Sequence, residues 1–508
     1  MLNTIEMWER LAYYNLRVMA PVYIMQADTG GTLQLGATQK GTIYAWWAIF
    51  QSLLPIVTGG FADRYGYKKV LGFSIFTMMI GYICIALLRK VPPAGADEAT
   101  IKAIADYNYW ALFGSIMLFA TGTAFFKPSI QGSLAATMTK ETSSVGWGIF
   151  YWVVNIGAFI GHFLPGILLG QSPDPESWRN LFLCSAAFTS LNLVMLFTIK
   201  DQPSGADKNE SIGTVLKRTF VNILEPRLVA WLVIMSGFWL MMYQLWDLQP
   251  NFIKDWIDTS PAVEHLRGIL PETMFKQWTE ESPRGLQVRQ EILLAVNSMC
   301  IIIGVVGMSW LTRHMRSLTA MLWGTGFAIA GILVAGLTMN VWYLVLGIVC
   351  FSLGEMTTGP KKSEYLAQIA PPGKKGLYLG YVNVPVGVGV FVGSKIAGYI
   401  YGTYGEKATL ALRYIKENGL APVTPPAPEV LSKYGTELEA QLQIARPDAL
   451  KTLMDIKGID AVQATQLLWD TYSPQYYVWL PFAAVGVVSA LGLAVFGQMA
   501  KRWKDMDA

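Results

Sequence analysis

Charge is scarce in this sequence. Only 15% of its 508 residues are Asp, Glu, Lys or Arg, against about 25% in an average soluble domain. That excludes a disordered chain and a soluble multidomain enzyme, and it leaves too little Lys and Arg for a nucleic-acid-binding face. The net charge of +4 is too mild to call for a polyanionic partner. Cysteine is scarce too. Cys84, Cys184, Cys300 and Cys350 each lie in an apolar run without a C-x-x-C partner, which excludes a disulfide framework and leaves thiols used as small hydrophobes. The histidines, His162, His265 and His314, stand far apart. No HExxH, GxSxG or P-loop pattern is present, so neither an enzyme constellation nor a metal or cofactor site is implied. The row Gly387, Gly389, Gly393 has no strand before it and reads as helix packing. The basic start of a cleavable signal peptide is also missing, and the first apolar run carries Glu6, Glu9, Arg10 and Arg17.

What is plentiful is apolar surface: 53% of the chain is hydrophobic and the mean hydropathy is +0.37. A helix needs about 20 apolar residues to cross a bilayer. Twelve segments qualify: 6–27, 39–62, 69–89, 108–137, 144–170, 178–199, 227–252, 290–311, 317–337, 342–369, 374–401 and 474–500. Pro55, Pro128, Pro165, Pro250, Pro360 and Pro385 fall inside them and predict kinks. The fold class is therefore an all-α polytopic membrane protein. Lys and Arg gather in the 62–69 turn, the 200–226 linker, Arg313, Arg316, Lys374, Lys375 and the C-terminal tail, whereas the short loops opposite hold only Lys40, Arg89, Lys90, Lys102 and Arg179. This asymmetry predicts both termini in the cytoplasm of a cell (inner) membrane protein. The polar linker 200–226 divides six helices (1–199) from six (227–508), and the loops 253–289 and 402–473 are left outside. The second contains stretches of helical periodicity, around 429–443 and 447–470, that predict a cap of short helices; an inert insertion is the alternative. Gly59, Asp63, Arg64, Gly66 and Lys69 after segment 2 find a degenerate echo in Gly307 to Arg316 between segments 8 and 9. Two related six-helix halves suggest a secondary transporter with its site at the midplane.

A lone charge at the bilayer centre costs at least about 2.5 kcal/mol, so the charges inside segments are the informative residues. They are Glu6, Glu9, Arg10 and Arg17 in segment 1, Lys127 in segment 4, Asp247 in segment 7, Glu355, Lys361, Lys362 and Glu364 in segment 10, and Lys395 in segment 11. The near-balance of five acids and six bases predicts pairing. Glu6, Glu9 and Arg10 share one helical face that Tyr13 and Arg17 continue, with Tyr14 beside it. Two carboxylates and an arginine in low dielectric can hold or release one proton as their neighbours move; snorkelling charges at a helix end are the alternative. Lys127 is too deep to snorkel easily, and Glu355 lies about 20 Å along its segment at 1.5 Å per residue. They sit in opposite halves, so a bond between them would form in only one gate state.

These residues resemble a known family. Glu6-Met-Trp-Glu9-Arg10-Leu-Ala-Tyr13-Tyr14 is similar to the ExxERFxYY signature of the proton-dependent oligopeptide transporters of the major facilitator superfamily, with Leu11 in place of the usual Phe. Gly59 to Lys69 resembles the general loop motif of that superfamily, a conformational element. Phe126-Lys127-Pro128-Ser129 resembles FKPN, and Phe150-Tyr151 with Asn155-Ile-Gly157 resembles FYxxINxG. Phe238-Trp239 and Ser352-Leu-Gly-Glu355, with Pro360 and Ala370-Pro371, also match. The resemblance implies the major facilitator fold. It implies proton coupling by Glu6, Glu9, Arg10 and Lys127, with Glu355 as the acid that bonds the lysine when the outer gate closes. It implies substrate contact by Tyr13, Tyr14, Arg17, Asn155, Trp239 and Gln244. The sequence departs from the pattern in segment 7, where Tyr243 rather than an acid precedes Gln244; Asp247, one turn on, is the candidate replacement and partner of Arg17, with Lys395 as the alternative partner. Asn297-Ser298 replaces a common Asn-Pro, Val382 stands at a usual Trp, and Lys361, Lys362, Glu364 and Lys395 are extra charges.

The leading reading is a symporter of di- or tripeptides, with the proton as coupling ion, no cofactor, and the lipid bilayer and a small peptide as its partners, functional as a monomer. The alternatives are a carrier of another small amphiphile or amino-acid derivative, and a non-transporting membrane receptor.

Overall fold

The computed structural model describes residues 1–93, 95–138, 143–200, 221–370, 375–423 and 435–502. Most of the expected linker 200–226, the start of the 429–443 periodic stretch, Pro371 and Lys374 lie outside the described residues. The helices run in chain order as α1 (Leu2–Met25), α2 (Ala37–Leu53, resuming at Pro55–Tyr65), α3 (Tyr67–Leu87), α4 (Glu98–Thr137), α5 (Ser143–Gly161, resuming at Leu164–Leu168), α6 (Pro175–Leu196), α7 (Pro226–Met242, extended by Gln244–Asp247 and Gln249–Trp256), α8 (Gln290–Thr312), α9 (Ser317–Gly336), α10 (Val341–Ile369), α11 (Val384–Ile400, preceded by Lys375–Gly380) and α12 (Pro474–Ala500). Pro55, Pro165, Pro250 and Pro385 each stand at the first turn of a helical piece, where the missing N–H has no helical partner to lose, whereas Pro128 and Pro360 lie inside continuous helices. Eleven helices of the described chain are long and apolar enough to cross a membrane. The other long helix, α1, carries Glu6, Glu9, Arg10 and Arg17 in its 24 residues.

The packing repeats with an offset of six helices. In the first half α1 packs on α5 and α6, α3 on α4 and α6, and α2 on α4. In the second half α7 packs on α11 and α12, α9 on α10 and α12, and α8 on α10. The halves meet through α2 against α11 and α5 against α8, a pair related by the same offset. Close approach depends on glycine. The Cα of Gly41 in α2 faces Gly398 in α11 so tightly that a side chain on either would strike the other's backbone. Gly389 and Gly393 lie against α7, so the glycine row does serve helix packing.

The segments between α7 and α8 and between α11 and α12 fold on one face of the bundle, here called the capped side; the opposite face, with both chain ends, is the terminal side. The first insertion holds helices Ser260–Ile269 and Glu272–Trp278 and a hairpin whose strands, Thr279–Ser282 and Gly285–Val288, pair antiparallel. The second holds Lys407–Glu417, Glu437–Leu442, Ala449–Lys457 and Ala461–Tyr472.

Candidate functional site

The face of α1 predicted from its spacing is a single buried charge cluster. Arg10 donates to both carboxylate oxygens of Glu9, at 2.5 and 2.6 Å, and lies 3.3 Å from Glu6. Lys127 of α4 comes to 3.8 Å from the same Glu6 oxygen. Glu6, Glu9 and Arg10 are at most 4% exposed, whereas the Lys127 side chain is 34% exposed. The two acids differ in their partners. Glu9 is fully engaged by the guanidinium, while neither buried oxygen of Glu6 accepts a hydrogen bond. Close packing of α1 on α5, where Gly157 and Gly161 meet the backbone of Met7 and Leu11, brings α5 against the Arg10 side of the cluster. Asn155 itself donates back to the Tyr151 carbonyl.

Further along α1, Arg17 lies among four rings: Tyr13, Tyr14, Tyr243 and Trp246, at 4.7 Å from each of the last two. It makes no ion pair with a described residue, and its buried Nε has no partner. Glu355 faces it from α10, anchored by the Asn297 amide at 3.1 Å. Lys362, two helical turns toward the terminal side, lies over Trp239 at 4.3 Å. Arg17, Tyr14, Trp239, Glu355 and Lys362 are half-buried and face one another across the halves. Not every expected contact residue joins them. Tyr13 is 1% exposed and bonds Gln51 inside the first half. Gln244 is fully buried against Gly393 and donates to the Leu240 carbonyl.

Asp247 departs furthest from expectation. It pairs with Lys40 at 2.9 Å, both side chains being 0% exposed, and not with Arg17 or Lys395. Lys40 also donates to the Asp247 carbonyl and to Asn251, and Ser394 donates to the Asp247 carboxylate. Lys40 is not in a loop: α2 begins at Ala37, so its ammonium enters the interface from the first helical turn. Lys395, expected to be buried, is exposed and donates to Thr42. Asn251 and Gln26 extend the seal by donating to the Pro21 carbonyl and to Asp255.

Both insertions reach across to the first half through an arginine. Arg446 donates to the carbonyls of Gln34 and Leu35 and pairs with Glu406 at 3.2 Å. Arg289 donates to the Gly170 carbonyl and pairs with Glu291 at 3.1 Å. Behind Arg446, burial and the neighbouring Arg284 hold Lys407 down to about 8, while burial pushes the Asp255 carboxyl up. The ion pair and the hydrogen bonds of Lys40, Gln26, Gln290, Lys395, Arg289 and Arg446 that join the halves lie on this capped side. The expected Lys127–Glu355 bond is not found among the described residues, although the capped side is closed: Lys127 lies beside Glu6, and Glu355 accepts from Asn297. In the loop motif, Gly66 ends the α2 extension at φ 93°, a conformation that favours glycine, and Arg64 and Lys69 are exposed beside it. Gly59 lies beside Pro128, and the Asp63 side chain lies outside the described residues.

Two six-helix halves, sealed at one end around a charged interior, give the architecture of a multi-pass membrane transporter. A family model described as Major Facilitator Superfamily matches residues 9–255, just under half of the chain. It is 23% identical over 70% of its length to the multidrug resistance protein MdtH of Proteus mirabilis, covering 75% of that protein. It is 26% identical over 50% of its length to a di-/tripeptide transporter of Lactococcus lactis subsp. cremoris, and spans only about half (47%) of that relative. Among solved structures it resembles a peptide transporter POT in complex with sulfate, with a TM-score of 0.64, 16% identity, and coverage of 99% of this chain and 94% of that one. The nucleoside transporter NupG gives the same TM-score at 12% identity, over 97% of this chain and 98% of that one. The fold is that of the major facilitators, and the sequence likeness to the oligopeptide transporters is that of a divergent relative.

Proposed function

We propose that this protein is a proton-coupled symporter of di- or tripeptides, working by alternating access. The observation that carries the proposal is the buried Glu6–Glu9–Arg10 cluster in contact with Lys127, with half-buried Arg17 of one half and Glu355 of the other nearby. A short peptide has a carboxylate for the guanidinium and an ammonium for the acid. The likeness to di-/tripeptide transporters supports this reading, while MdtH and NupG keep a different small amphiphile as the alternative. A receptor without transport has no need of buried titratable acids.

In this state Lys127 lies beside Glu6, and Glu9 is bonded by Arg10. As the terminal side closes, Lys127 leaves for Glu355, and a proton taken up by the acids of α1 compensates the missing cation. As that side reopens, Lys127 returns and the proton leaves. The capped side faces outward and both termini face the cytoplasm of the cell membrane, with the monomer as the working unit. Uptake of a labelled dipeptide library into proteoliposomes, with and without an inward pH gradient, tests the proposal. Accumulation only on the gradient supports it; indifference of every dipeptide to the gradient rejects it.

A further inference from the structure

The transport reading leaves one half-buried charged side chain between the halves unused. Lys362 stands on α10 seven residues beyond Glu355, on the same face and about 10 Å nearer the terminal side at 1.5 Å per residue. A lysine there would ordinarily stretch toward the nearer water. This one does not. Side chains on a helix lean toward its N-terminus, and α10 starts on the capped side, so Lys362 reaches back toward the midplane. Its ammonium lies over the ring of Trp239, within electrostatic reach of both Glu355 and Lys127. Among the described residues it makes no hydrogen bond or ion pair. Its neighbour Lys361 differs in all these respects: it is tied to Glu364 at 2.9 Å and to the Met315 carbonyl at the terminal end.

The charge balance of this group then becomes uneven. The acids are Glu6, Glu9 and Glu355, and the cations are Arg10, Arg17, Lys127 and Lys362. With every group ionised the cations exceed the acids by one. Without Lys362 the ionised set would balance, as suits a net-neutral zwitterion. Two of the cations, Arg17 and Lys362, lie over aromatic rings and make no ion pair among the described residues, and Nε of Arg17 is buried without a hydrogen-bond partner there. Glu355 is already held by Asn297. Unsatisfied cations in a confined, partly dry space favour a ligand that brings carboxylates to them.

We infer that Lys362 makes this a carrier of acidic substrates, which place one carboxylate on Arg17, a second between Lys362 and Lys127, and an amine on Glu355. Under the transport reading above, on which this inference rests, the substrate class is an acidic dipeptide, such as one with Asp or Glu as a side-chain-bearing residue.

Matched pairs that differ only in charge provide the test: Ala-Asp against Ala-Asn as peptides, and N-acetyl-aspartate against N-acetyl-asparagine as non-peptides. Each is measured by thermal-shift titration of the purified protein and by competition for uptake in proteoliposomes. One extra ion pair in a half-buried site corresponds to a preference of about ten-fold for the acidic member. Lys362→Arg retains that ratio and Lys362→Met brings it close to unity. Equal response to both members of each pair in the wild-type protein overturns the inference, and so does an acidic preference that survives Lys362→Met. Acidic preference among the non-peptide pair with no response to either dipeptide upholds the charge inference and rejects the peptide reading. No response to any of the four compounds overturns both.

Discussion

The ion pair between Lys40 and Asp247 joins the two halves at a depth where neither side chain touches water, and its loss makes a measurable prediction. In Lys40→Met, Asp247 keeps Ser394 as a donor but loses the only cation that pairs with it. Leaving one member of a buried pair unpartnered costs about 3–5 kcal/mol. When the capped side opens, water reaches Asp247 and the cost disappears, so the whole penalty falls on the closed state. At about 1.4 kcal/mol per factor of ten, the ratio of capped-closed to capped-open molecules falls by about two to three and a half decades. Asp247→Asn strands Lys40 and acts in the same direction. The double variant Lys40→Met with Asp247→Asn removes both charges and restores most of the closed population, because replacing both partners is often close to neutral. Spin labels at Ala99, in the first half, and Lys451, on the second insertion, are both exposed and report the separation of the two rims. Pulsed electron–electron distance measurements should show a longer, broader distribution in each single variant and recovery in the double. Single variants that keep the wild-type distribution, or a double variant as open as the singles, would refute the claim that this pair holds the capped side shut.

Three further outcomes follow from the described contacts. Lys127→Ala and Glu9→Gln should abolish proton-driven accumulation while sparing counterflow, in which labelled and unlabelled substrate exchange without net proton movement; wild-type accumulation by either folded variant rejects the coupling role. Arg446→Ala removes charged hydrogen bonds to the Gln34 and Leu35 carbonyls and should destabilise the capped-closed protein by about 1.5–3 kcal/mol, seen as a lower melting temperature and faster amide exchange at residues 33–36. Burial, with Arg284 beside it, holds Lys407 down to about 8, below its unfolded value, so the folded protein binds fewer protons there between the two values. Stability should therefore rise as pH increases from 7 to 9, and Lys407→Met should flatten that rise in a thermal melt.

The local parts of this structure were legible in the sequence, and the parts that depend on the meeting of the halves were not. Eleven segments follow from apolar length, and the Glu6, Glu9, Arg10 face follows from helical spacing, because both are properties of one helix. Depth along the chain suggests Arg17 as the partner of Asp247, but depth does not fix azimuth: Arg17 turns toward the rings of Tyr243 and Trp246, while Asp247 turns toward α2. Lys40 stands at the edge of segment 39–62, and α2 starting at Ala37 brings it within the first helical turn. Gln26, Asn251 and Asp255 carry no linear signal, since each finds its partner in the other half.

The capped side uses two kinds of bond, and their difference orders the steps of opening. Arg446 and Arg289 each keep a carboxylate of their own half, Glu406 and Glu291, and grip the opposite half only through backbone carbonyls. When these grips release, the arginines stay paired, so separation costs neutral acceptors and no stranded charge. Lys40 and Asp247 are divided between the halves, and separating them in a dry interface is far more costly than in water, because the attraction scales inversely with the local dielectric. The sequence that strands the least charge is therefore for the arginine grips to let go first and admit water, after which the ion pair parts in a medium that solvates both charges.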